Sequence, residues 1–314
     1  MMKGAPNRWD ELLGTRYRLS RTIGEGAAAR VFEARDLKHD RDVAIKILRP
    51  EVMQEIISPR FQREVRIVAH LSHPHILPLF DSGEIDGVPY FVMPLVRGET
   101  LRAKIDREGA LRVDVALSIA RQVGAALEHA HGCGVVHRDI KPENVLFEGR
   151  EALVTDFGIA REFTGQAISE RLTAAGVVVG TPRYMSPEQA AGDPAIDARA
   201  DVYALGCITF EMLTGRPPYT GTDLRALQVS RALDAPPSPR ARRREVPVAA
   251  DRAVRAAMAK DPGVRLASAR AFIDALATPL PLTAVPGGLA ERRRRRWWWV
   301  AAVAIGSALL VIML

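Results

Sequence analysis

One segment of this chain constrains its fold more than any other. Residues 137–144 read His-Arg-Asp-Ile-Lys-Pro-Glu-Asn, and Asp156-Phe157-Gly158 follows at short distance. The carboxylates of Asp139 and Asp156 and the carboxamide of Asn144 therefore lie within one short stretch. Oxygen atoms of these kinds are the ligands that the hard cation Mg²⁺ prefers. Moving a phosphoryl group requires such positioned charges more than covalent catalysis, so the segment predicts a site that acts on phosphoryl groups.

A glycine-containing turn lies upstream, at residues 24–31, after the strand-like stretch 17–23. Its glycines, Gly24 and Gly26, would let the main chain approach a polyphosphate and direct N–H groups at it. The same pattern also marks ordinary hairpin turns. Residues 30–34 read as a strand where a dinucleotide-binding fold requires a helix, and a Walker-type loop is excluded because no lysine precedes Ser or Thr. The turn is predicted to be a hairpin lid.

Lysine is scarce in this chain, since only six of the 44 Lys and Arg side chains are lysines. A lysine inside an apolar strand is therefore expected to have a specific role. Lys46 lies in such a strand, residues 43–47, and Glu64 on a predicted helical stretch near Phe61–Leu71 is its natural counter-ion. Two interpretations stay open. Lys46 is either an exposed lysine at the edge of a strand or a charged lysine held by Glu64 to bind phosphate oxygens.

The secondary-structure pattern changes midway along the chain. Short β-rich runs such as residues 42–48 and 88–94 come first, and helical patterns dominate afterwards. The stretch Asp201 to Thr214 is apolar on nearly all sides, as in a helix buried inside a large domain, and Gly215 is expected to end it. An amphipathic helical stripe is predicted at Ala116, Ala120, Val123, Leu127 and Ala130. The pattern indicates a small β-rich lobe and a larger helical lobe.

Taken in order along the chain, these motifs resemble those of the protein kinase family, and specifically of the eukaryotic-like serine/threonine kinases of bacteria, many of which are membrane-anchored. The resemblance covers residues 17 to about 277 and includes Gly180 to Glu188, Asp201 and Arg265. It implies an α+β, bilobal protein kinase fold. The implied boundaries are an N-terminal extension at 1–16, a kinase domain at 17–277, and within it a β-rich N-lobe at 17–95 and a helical C-lobe at 96–277.

The resemblance implies a role for each residue of the site. Asp139 would accept or orient the proton of the substrate hydroxyl, and Lys141 would steady the γ-phosphate of ATP. Asp156 and Asn144 would hold Mg²⁺, with Mn²⁺ as an alternative ion, and Lys46 would bind the α- and β-phosphates. The residues expected to contact ATP are Ile23, Gly24, Glu25, Gly26, Ala27, Ala28, Ala29, Arg30, Val31, Ala44, Lys46, Glu64, Met93, Val96 and Asp156.

Two positions depart from the pattern of the family. Ala29 stands where the third glycine of the loop is usual, which stiffens the lid but keeps the two glycines nearest the phosphates. Pro94 stands in the hinge where an acidic residue is common. It removes one main-chain donor but not the carbonyls that face adenine. Neither change removes a group that phosphoryl transfer requires.

Regulation is also implied by the resemblance. Arg138 directly precedes the expected catalytic base, which in this family indicates an activation segment that is ordered when a phosphorylated residue pairs with arginine. The candidate hydroxyls in that segment are Thr164, Ser169 and Thr173. Thr173 resembles the usual site in position and is expected to be autophosphorylated. Thr181 is expected to contact the catalytic loop.

Other features receive structural interpretations. Glu188 and Arg265 resemble the buried ion pair that braces the helical lobe in this family. The histidines of residues 70–75 and 129–131 lack cysteine or carboxylate companions in the sequence, so no metal site is predicted from them. The arginines of residues 240–244 are interpreted as solvated side chains of a loop.

The C-terminal stretch Trp297 to Leu314 contains eighteen residues without a charge. As a helix it would be about 27 Å long, close to the ~30 Å hydrocarbon core of a bilayer. Three tryptophans begin it and Arg292–Arg296 precede it, as expected at the cytoplasmic side of a membrane. A buried core helix is the alternative, but such helices rarely follow five arginines. The chain is expected to cross the cell membrane once, with residues 278–296 as a juxtamembrane linker and the kinase domain in the cytoplasm.

The net charge of +7 is concentrated at this end of the chain. Residues 1–291 carry 39 basic and 37 acidic side chains, so the body of the protein is nearly neutral. The Arg292–Arg296 cluster is therefore expected to contact anionic lipid, and no nucleic-acid partner is expected. The two cysteines exclude a disulfide scaffold.

The sequence as a whole predicts a membrane-anchored, non-specific serine/threonine protein kinase. It would transfer the γ-phosphoryl group of ATP to Ser and Thr hydroxyls of proteins and be activated by autophosphorylation of its activation loop. The resemblance also allows a homodimer in which the small lobes pack back to back. One alternative is a pseudokinase scaffold at the membrane, which the presence of Lys46, Asp139, Asn144 and Asp156 disfavours. A small-molecule phosphotransferase is disfavoured because residues 180–188 resemble a platform for peptide substrates.

Overall fold

The computed structural model describes residues 9, 13–26, 29–49, 67–157, 183–220 and 234–277 of the chain. The chain divides into two compact units, Met1–Thr278 and Pro279–Leu314, and every described residue belongs to the first. Among the described residues, no helix combines the length and the apolar composition that a membrane span requires. The predicted features that lie outside the described residues are Ala27, Ala28, Glu64, Thr173, Thr181, the linker at 278–296 with Arg292–Arg296, and the stretch 297–314.

The N-terminal lobe contains a five-stranded antiparallel sheet with the strand order β1-β2-β3-β5-β4. The β-rich runs predicted at residues 42–48 and 88–94 coincide with its third and fifth strands. In chain order the strands are β1 (Tyr17–Glu25), β2 (Ala29–Asp36), β3 (Arg41–Leu48), β4 (Asp81–Ile85) and β5 (Val88–Pro94).

Alternate side chains of the sheet form the core of this lobe. Val43, Ile45 and Ile47 of β3 are buried at every second position, together with Phe32 of β2. Leu13 belongs to the same core and is only 4% exposed. The packing of the sheet lobe therefore begins before residue 17, the boundary that the sequence predicts.

The C-terminal lobe is helical, apart from a small hairpin of two strands, β6 (Val145–Glu148) and β7 (Glu151–Val154). In chain order the helices are α1 (Leu101–Glu108), α2 (Val113–Gly132), α3 (Pro187–Ala190), α4 (Arg199–Thr214), α5 (Pro239–Arg242), α6 (Val248–Ala257) and α7 (Ala269–Ala277). Helix α2 packs against α4 and α7, and α6 packs against the same two helices.

Both helical predictions made from hydrophobic patterns are confirmed. In α4 every residue from 200 to 213 is buried, because the helix runs through the centre of the lobe. Its end is set by Gly215, which has a left-handed φ of 73° and donates its N–H to the carbonyl of Glu211. In α2 the predicted stripe is buried along the whole helix, at Ala116, Ala120, Val123, Leu127 and Ala130.

Arg243 near α5 differs from its predicted role as a solvated side chain, whereas Arg240, Arg242 and Arg244 are exposed, as predicted. The guanidinium of Arg243 donates to the carbonyls of Leu111 and Leu213, at 2.5 and 3.3 Å. Arg240 donates to the carbonyl of Val246 at 2.7 Å. Since Leu213 lies in the last turn of α4, where carbonyls lack helical partners, Arg243 and Arg240 satisfy main-chain acceptors of the helical lobe.

Candidate active site

One face of the sheet carries the side chains predicted to bind a nucleotide. Register partners in neighbouring strands share a face, and residues two apart in one strand do as well. Val31 is the partner of Lys46, and Ala44 is the partner of Met93. All four side chains therefore lie on the same face. Val96 lies just beyond β5, where the chain passes to the helical lobe.

The turn between β1 and β2 contains the two glycines of the predicted lid. The N–H of Gly26 donates to the carbonyl of Ala29 at 2.9 Å. A Cβ placed on Gly24 would lie 3.5 Å from Val31, and one on Gly26 would lie 3.7 Å from the Ala29 carbonyl, both ordinary contacts. The packing of the protein itself thus does not demand glycine at either position. A main chain without side chains at these positions could be approached closely by a ligand.

Lys46 meets a carboxylate of the helical lobe. Its Nζ lies 2.6 Å from Oδ1 of Asp156, and the two side chains are 12% and 28% exposed. Burial by itself would raise the pKa of Asp156, but the charge of Lys46 and its hydrogen bond hold that pKa below its ordinary value. The interpretation of Lys46 as an exposed edge lysine is therefore wrong. Its pairing with Glu64 stays a prediction, because Glu64 lies outside the described residues.

The loop at residues 137–144 gathers its polar side chains around Asp139. Nζ of Lys141 donates to Oδ2 of Asp139 at 2.7 Å. Nδ2 of Asn144 donates to the carbonyl of Asp139 at 2.8 Å and to its Oδ2 at 3.3 Å. The Asp139 side chain is 44% exposed, so a large substrate can reach it. The structure thus brings together the three residues predicted to be catalytic.

His137 links this loop to Asp156. Its Nδ1 accepts the N–H of Asp139 at 3.2 Å, so the ring proton lies on Nε2, which donates to the carbonyl of Thr155 at 2.9 Å. The N–H of Thr155 in turn donates to the carbonyl of Asn144 at 3.0 Å. Because Asp156 follows Thr155 directly, these bonds fix its position relative to the loop.

Asp201 anchors the start of the same loop. Its carboxylate, 1% exposed in the first turn of α4, accepts the N–H groups of His137 and Arg138, each at 2.7 Å. It also accepts a hydrogen bond from Nε2 of His131 at 2.8 Å. The sequence singles out Asp201 only as part of a resemblance. The structure gives it the role of positioning the segment that carries Asp139.

Two residues of the site have an unusual main-chain conformation. Arg138 and Asp156 have φ angles of 65° and 66°, in the left-handed region that non-glycine residues rarely adopt. Such strain costs about 1–3 kcal/mol per residue and is found mainly at functional sites. Hydrogen bonds hold both residues in this conformation: Asp201 accepts the N–H of Arg138, and Lys46 donates to the carboxylate of Asp156.

A second set of buried contacts, which begins at α3, supports the loop that carries Asp139. Ser186 and Gln189 form a reciprocal capping box at the start of α3, and Nε2 of Gln189 donates to the carbonyl of Arg138 at 2.9 Å. The predicted ion pair of Glu188 and Arg265 is confirmed: two parallel bonds of 2.6 and 2.9 Å join side chains that are 6% and 0% exposed. The guanidinium also donates to three main-chain carbonyls, of Ala259, Arg199 and Lys260.

Sequence reasoning missed one buried network. The hydroxyl of Tyr184 donates to Glu211 at 2.6 Å, and Arg102 of α1 donates to the other oxygen of that carboxylate at 2.8 Å. Burial and the neighbouring Glu211 charge raise the pKa of Tyr184 well above its usual range. The charged Glu211 inside the apolar stretch of α4 is the one signal that predicts a partner there.

The histidines predicted to be structural make local contacts. The rings of His73 and His129 stack with centroids 5.3 Å apart, and His75 lies 5.6 Å from His73. His75 contacts the carbonyl of Ala152 through Nδ1 at 3.1 Å. Among the residues that the structure describes, no three His, Cys, Asp or Glu side chains are arranged to hold a metal ion.

Comparison with known proteins places this site in a family. Residues 17–274 match the model described as "Protein kinase domain". Two similar relatives come from Mycobacterium tuberculosis. Serine/threonine-protein kinase PknD is 41% identical over 256 residues, which are 81% of this chain and 38% of the relative. Serine/threonine-protein kinase PknB is 40% identical over 263 residues, which are 82% of this chain and 42% of the relative.

A solved structure has the same fold. The crystal structure of Rad53 residues 1–466 in complex with AMP-PNP matches with a TM-score of 0.70 and 24% identity, over 83% of this chain and 65% of that one. The chain spans about two fifths of the length of the curated relatives named above. The arrangement of Lys46, Asp139, Asn144 and Asp156 between a sheet lobe and a helical lobe agrees with the match to the family model, and this chain therefore belongs to the protein kinase family.

Proposed function

We propose that this chain is a serine/threonine protein kinase that transfers the γ-phosphoryl group of ATP to Ser and Thr hydroxyls of proteins. The observation that carries the proposal is the 2.6 Å contact between Lys46 and Asp156, which joins the two lobes beside the loop that presents Asp139. A fixed cation, carboxylates and a carboxamide in one cleft are the groups that phosphoryl transfer requires.

ATP would bind against the face of the sheet that carries Lys46. Val31, Ala44 and Met93 share that face and offer apolar surface to adenine. Lys46 would bind phosphate oxygens, and the main chain at Gly24 and Gly26, which carries no side chain, would allow a polyphosphate to approach closely. The mycobacterial relatives are named as serine/threonine-protein kinases, which supports the same activity for this domain.

The donor set of the cleft fits a hard divalent cation such as Mg²⁺. Asn144 uses Nδ2 to donate to Asp139, so its Oδ1 is the atom left to accept a cation. Asp156 is held below its ordinary pKa and keeps Oδ2 in addition to the oxygen that Lys46 contacts. Asn144 and Asp156 would hold the ion, which neutralises charge on the phosphates when bound. Mn²⁺ has the same preference for oxygen.

Asp139 is positioned to take the proton of the attacking hydroxyl. Lys141 and Asn144 both donate to its Oδ2, which directs Oδ1 to the substrate. The proton moves to Asp139 as the hydroxyl oxygen bonds to the γ-phosphorus and ADP leaves. Lys141, 33% exposed, would also neutralise charge on the transferred group.

A pseudokinase scaffold at the membrane is the competing function, and the assembled cleft disfavours it. Phosphoamino-acid analysis separates the possibilities. The full chain is incubated with labelled ATP, Mg²⁺ and a generic basic protein, and the label is expected on serine and threonine. Label on tyrosine, or no label above background, would contradict the proposal.

Autophosphorylation would activate the kinase. Arg138 directly precedes Asp139, and its main chain is held by Asp201 and Gln189, so its guanidinium starts from a fixed point. A phosphate on Thr173 would pair with that arginine, while Thr181 would contact the catalytic loop. Mass spectrometry of the active protein is expected to find phosphate on Thr173. Full activity without phosphate in residues 164–181 would contradict this.

Residues 297–314 would anchor the kinase in the cell membrane as a single span, with the catalytic domain in the cytoplasm and Arg292–Arg296 against anionic lipid. The uncharged length, the tryptophans and the arginines support this proposal. The full chain is expected to stay in the membrane pellet after a carbonate wash, and a chain that ends at residue 285 is not. A homodimer through the back of the small lobe stays a prediction from the resemblance.

A further inference from the structure

Two hydrogen bonds tie the glycine-containing turn to the end of β3, and a third lies within the β1–β2 hairpin that carries the turn. Nε of Arg49 donates to the carbonyl of Gly26 at 3.0 Å, and Nη2 of the same guanidinium donates to Oε1 of Glu25 at 2.9 Å. Nε of Arg30 donates to the same Glu25 oxygen at 3.0 Å. Arg49 is the first residue after β3, the strand that carries Lys46.

These contacts lie on the face of the sheet that is turned away from the nucleotide-binding side chains. Glu25 and Arg30 are register partners, and Arg30 is the partner of Ile47, whose side chain lies in the core of the sheet lobe. Lys46 and Val31 occupy the opposite face. Arg49 therefore contacts the turn on the face opposite the nucleotide-binding side chains. The side chains of Glu25 and Arg30, which the sequence predicts to contact ATP, lie on this opposite face.

The guanidinium of Arg49 binds the turn through two of its nitrogens. Its Nε and Nη2 are parallel donors, and they bind two acceptors on adjacent residues, which specifies orientation as well as distance. With the Gly26 N–H bound to Ala29, both main-chain polar groups of Gly26 are engaged. The Arg49 side chain is 32% exposed and that of Glu25 is 53% exposed, so the ion pair alone contributes little. The tether also includes the charge-assisted hydrogen bond to the Gly26 carbonyl.

We propose that Arg49 is a positioning residue that preorganises the turn for ATP, with Glu25 as its partner. The inference rests on the proposed function, since it assumes that the turn covers the phosphates. Fixing the main chain of a residue opposes binding by about 1–2 kcal/mol. Glu25 and Gly26, which are already tied to Arg49, have lost part of this freedom before ATP arrives, so less ordering remains to oppose binding.

The test compares Arg49→Ala with the matched control Arg35→Ala in the full chain. Arg35 of β2 also pairs with two carboxylates, Asp40 at 2.6 Å and Asp42 at 2.9 Å, but these belong to the β2–β3 hairpin, at the end of β2 remote from the glycine-containing turn. R49A is expected to raise the Kd for MgATP about fivefold, equal to about 1 kcal/mol or one hydrogen bond, with kcat changed less than about twofold. R35A is expected to bind MgATP as the unaltered chain does. Arg49→Lys, which keeps the charge but not the fork, is expected to fall between R49A and the unaltered chain.

Glu25→Ala tests the partner. If Glu25 acts through Arg49, the loss in the double variant E25A/R49A is smaller than the sum of the two single losses. Additive losses would overturn the role of Glu25. Equal Kd values for R49A and the unaltered chain, or equal weakening by R35A, would overturn the role of Arg49. Matching Tm values for the variants exclude a general loss of folding.

A second readout does not depend on ATP. Hydrogen exchange of the Gly26 amide in the ligand-free chain is expected to be about fivefold faster in R49A and unchanged in R35A. If the unaltered chain does not bind MgATP, the proposed function fails, and the exchange data then show separately whether Arg49 ties the turn. Unchanged exchange in R49A would overturn the tether itself.

Discussion

The ammonium group of Lys46 lies 2.6 Å from Oδ1 of Asp156, although 110 residues separate them in the chain. Lys46 comes from the central strand of the sheet lobe, and Asp156 follows the small hairpin of the helical lobe. The contact holds a cation and a carboxylate in a mostly buried cleft, where neither is an ordinary surface charge. The two lobes therefore share a charged site that neither contains alone.

Replacing Lys46 with methionine is expected to abolish most of the activity. The side chain keeps its length but loses the charge, so the pKa of Asp156 rises and phosphate oxygens lose their fixed cation. Removal of one such group lowers kcat about 10²- to 10³-fold. Label transfer from ATP measures the effect. Lys104→Met is the control, since Lys104 pairs with Glu108 within α1 and is no part of the proposed site. A similar loss in that variant would contradict the role of Lys46.

Asp201→Asn is expected to destabilise the protein and slow the reaction. The carboxylate accepts two main-chain N–H groups and His131, and an amide would turn a donor toward one of them. A buried donor left unsatisfied costs about 1–3 kcal/mol in the free energy of unfolding. Urea denaturation and kcat are measured together. The exposed control Asp114→Asn is expected to change stability by less than about 0.5 kcal/mol, and equal effects would refute the anchoring role.

Arg265→Met is expected to cost about 3–5 kcal/mol, because it leaves Glu188 buried without its partner. The double variant with Glu188→Gln is expected to recover part of the loss, since the unpaired charge is then gone. Thermal unfolding gives the order of the variants. Arg270→Ala removes an exposed pair with Asp274 and serves as the reference for a weak contact. A double variant less stable than R265M would show that the unpaired charge of Glu188 is not the cause of the lost stability.

The stability of the protein is expected to fall in acid through His73. Burial lowers the pKa of this imidazole below its ordinary value of about 6.5, and the neighbouring rings of His129 and His75 lower it further. Glu151 lies near His75, at 3.7 Å. The unfolded chain therefore binds this proton at higher pH than the folded chain does. The contribution is complete above about pH 6.5 and is lost as the pH falls below that value.

The variant His73→Asn isolates this contribution. Its amide oxygen can still accept the N–H of His75, as Nδ1 of His73 does at 3.1 Å, but it has no proton to gain. Free energies of unfolding from urea denaturation between pH 8 and pH 5 are expected to fall less steeply with acid in H73N than in the unaltered chain. Parallel curves for the two proteins would show that His73 does not titrate on unfolding.

The sequence could predict the elements whose pattern is local. The buried helix α4, its end at Gly215 and the amphipathic stripe of α2 follow from hydrophobic spacing, and the structure has all three. The pair Glu188 and Arg265 could be predicted only through a family resemblance, because 77 residues separate them.

The contacts that the sequence could not predict depend on side chains that meet only after folding. Asp201 binds three donors from α2 and the catalytic loop, and nothing in the local pattern names them. Arg243 is predicted to be a solvated surface charge, yet it donates to the carbonyls of Leu213 in α4 and of Leu111, two residues before α2 begins. The hydrogen bond from Arg49 to Gly26 joins the ends of β3 and β1, and the sequence pattern predicts each strand but not the contact between them.

The variant Asp139→Asn tests most directly whether the cleft transfers a phosphoryl group. The full chain and D139N are compared for MgATP binding and for transfer to a protein substrate. Both are expected to bind MgATP with similar Kd, since Asp139 faces the hydroxyl and not the nucleotide. The unaltered chain is expected to transfer phosphate, and D139N to lose it by about 10²-fold or more. Binding by both proteins with no more transfer by the unaltered chain than by D139N would contradict the account and identify a pseudokinase.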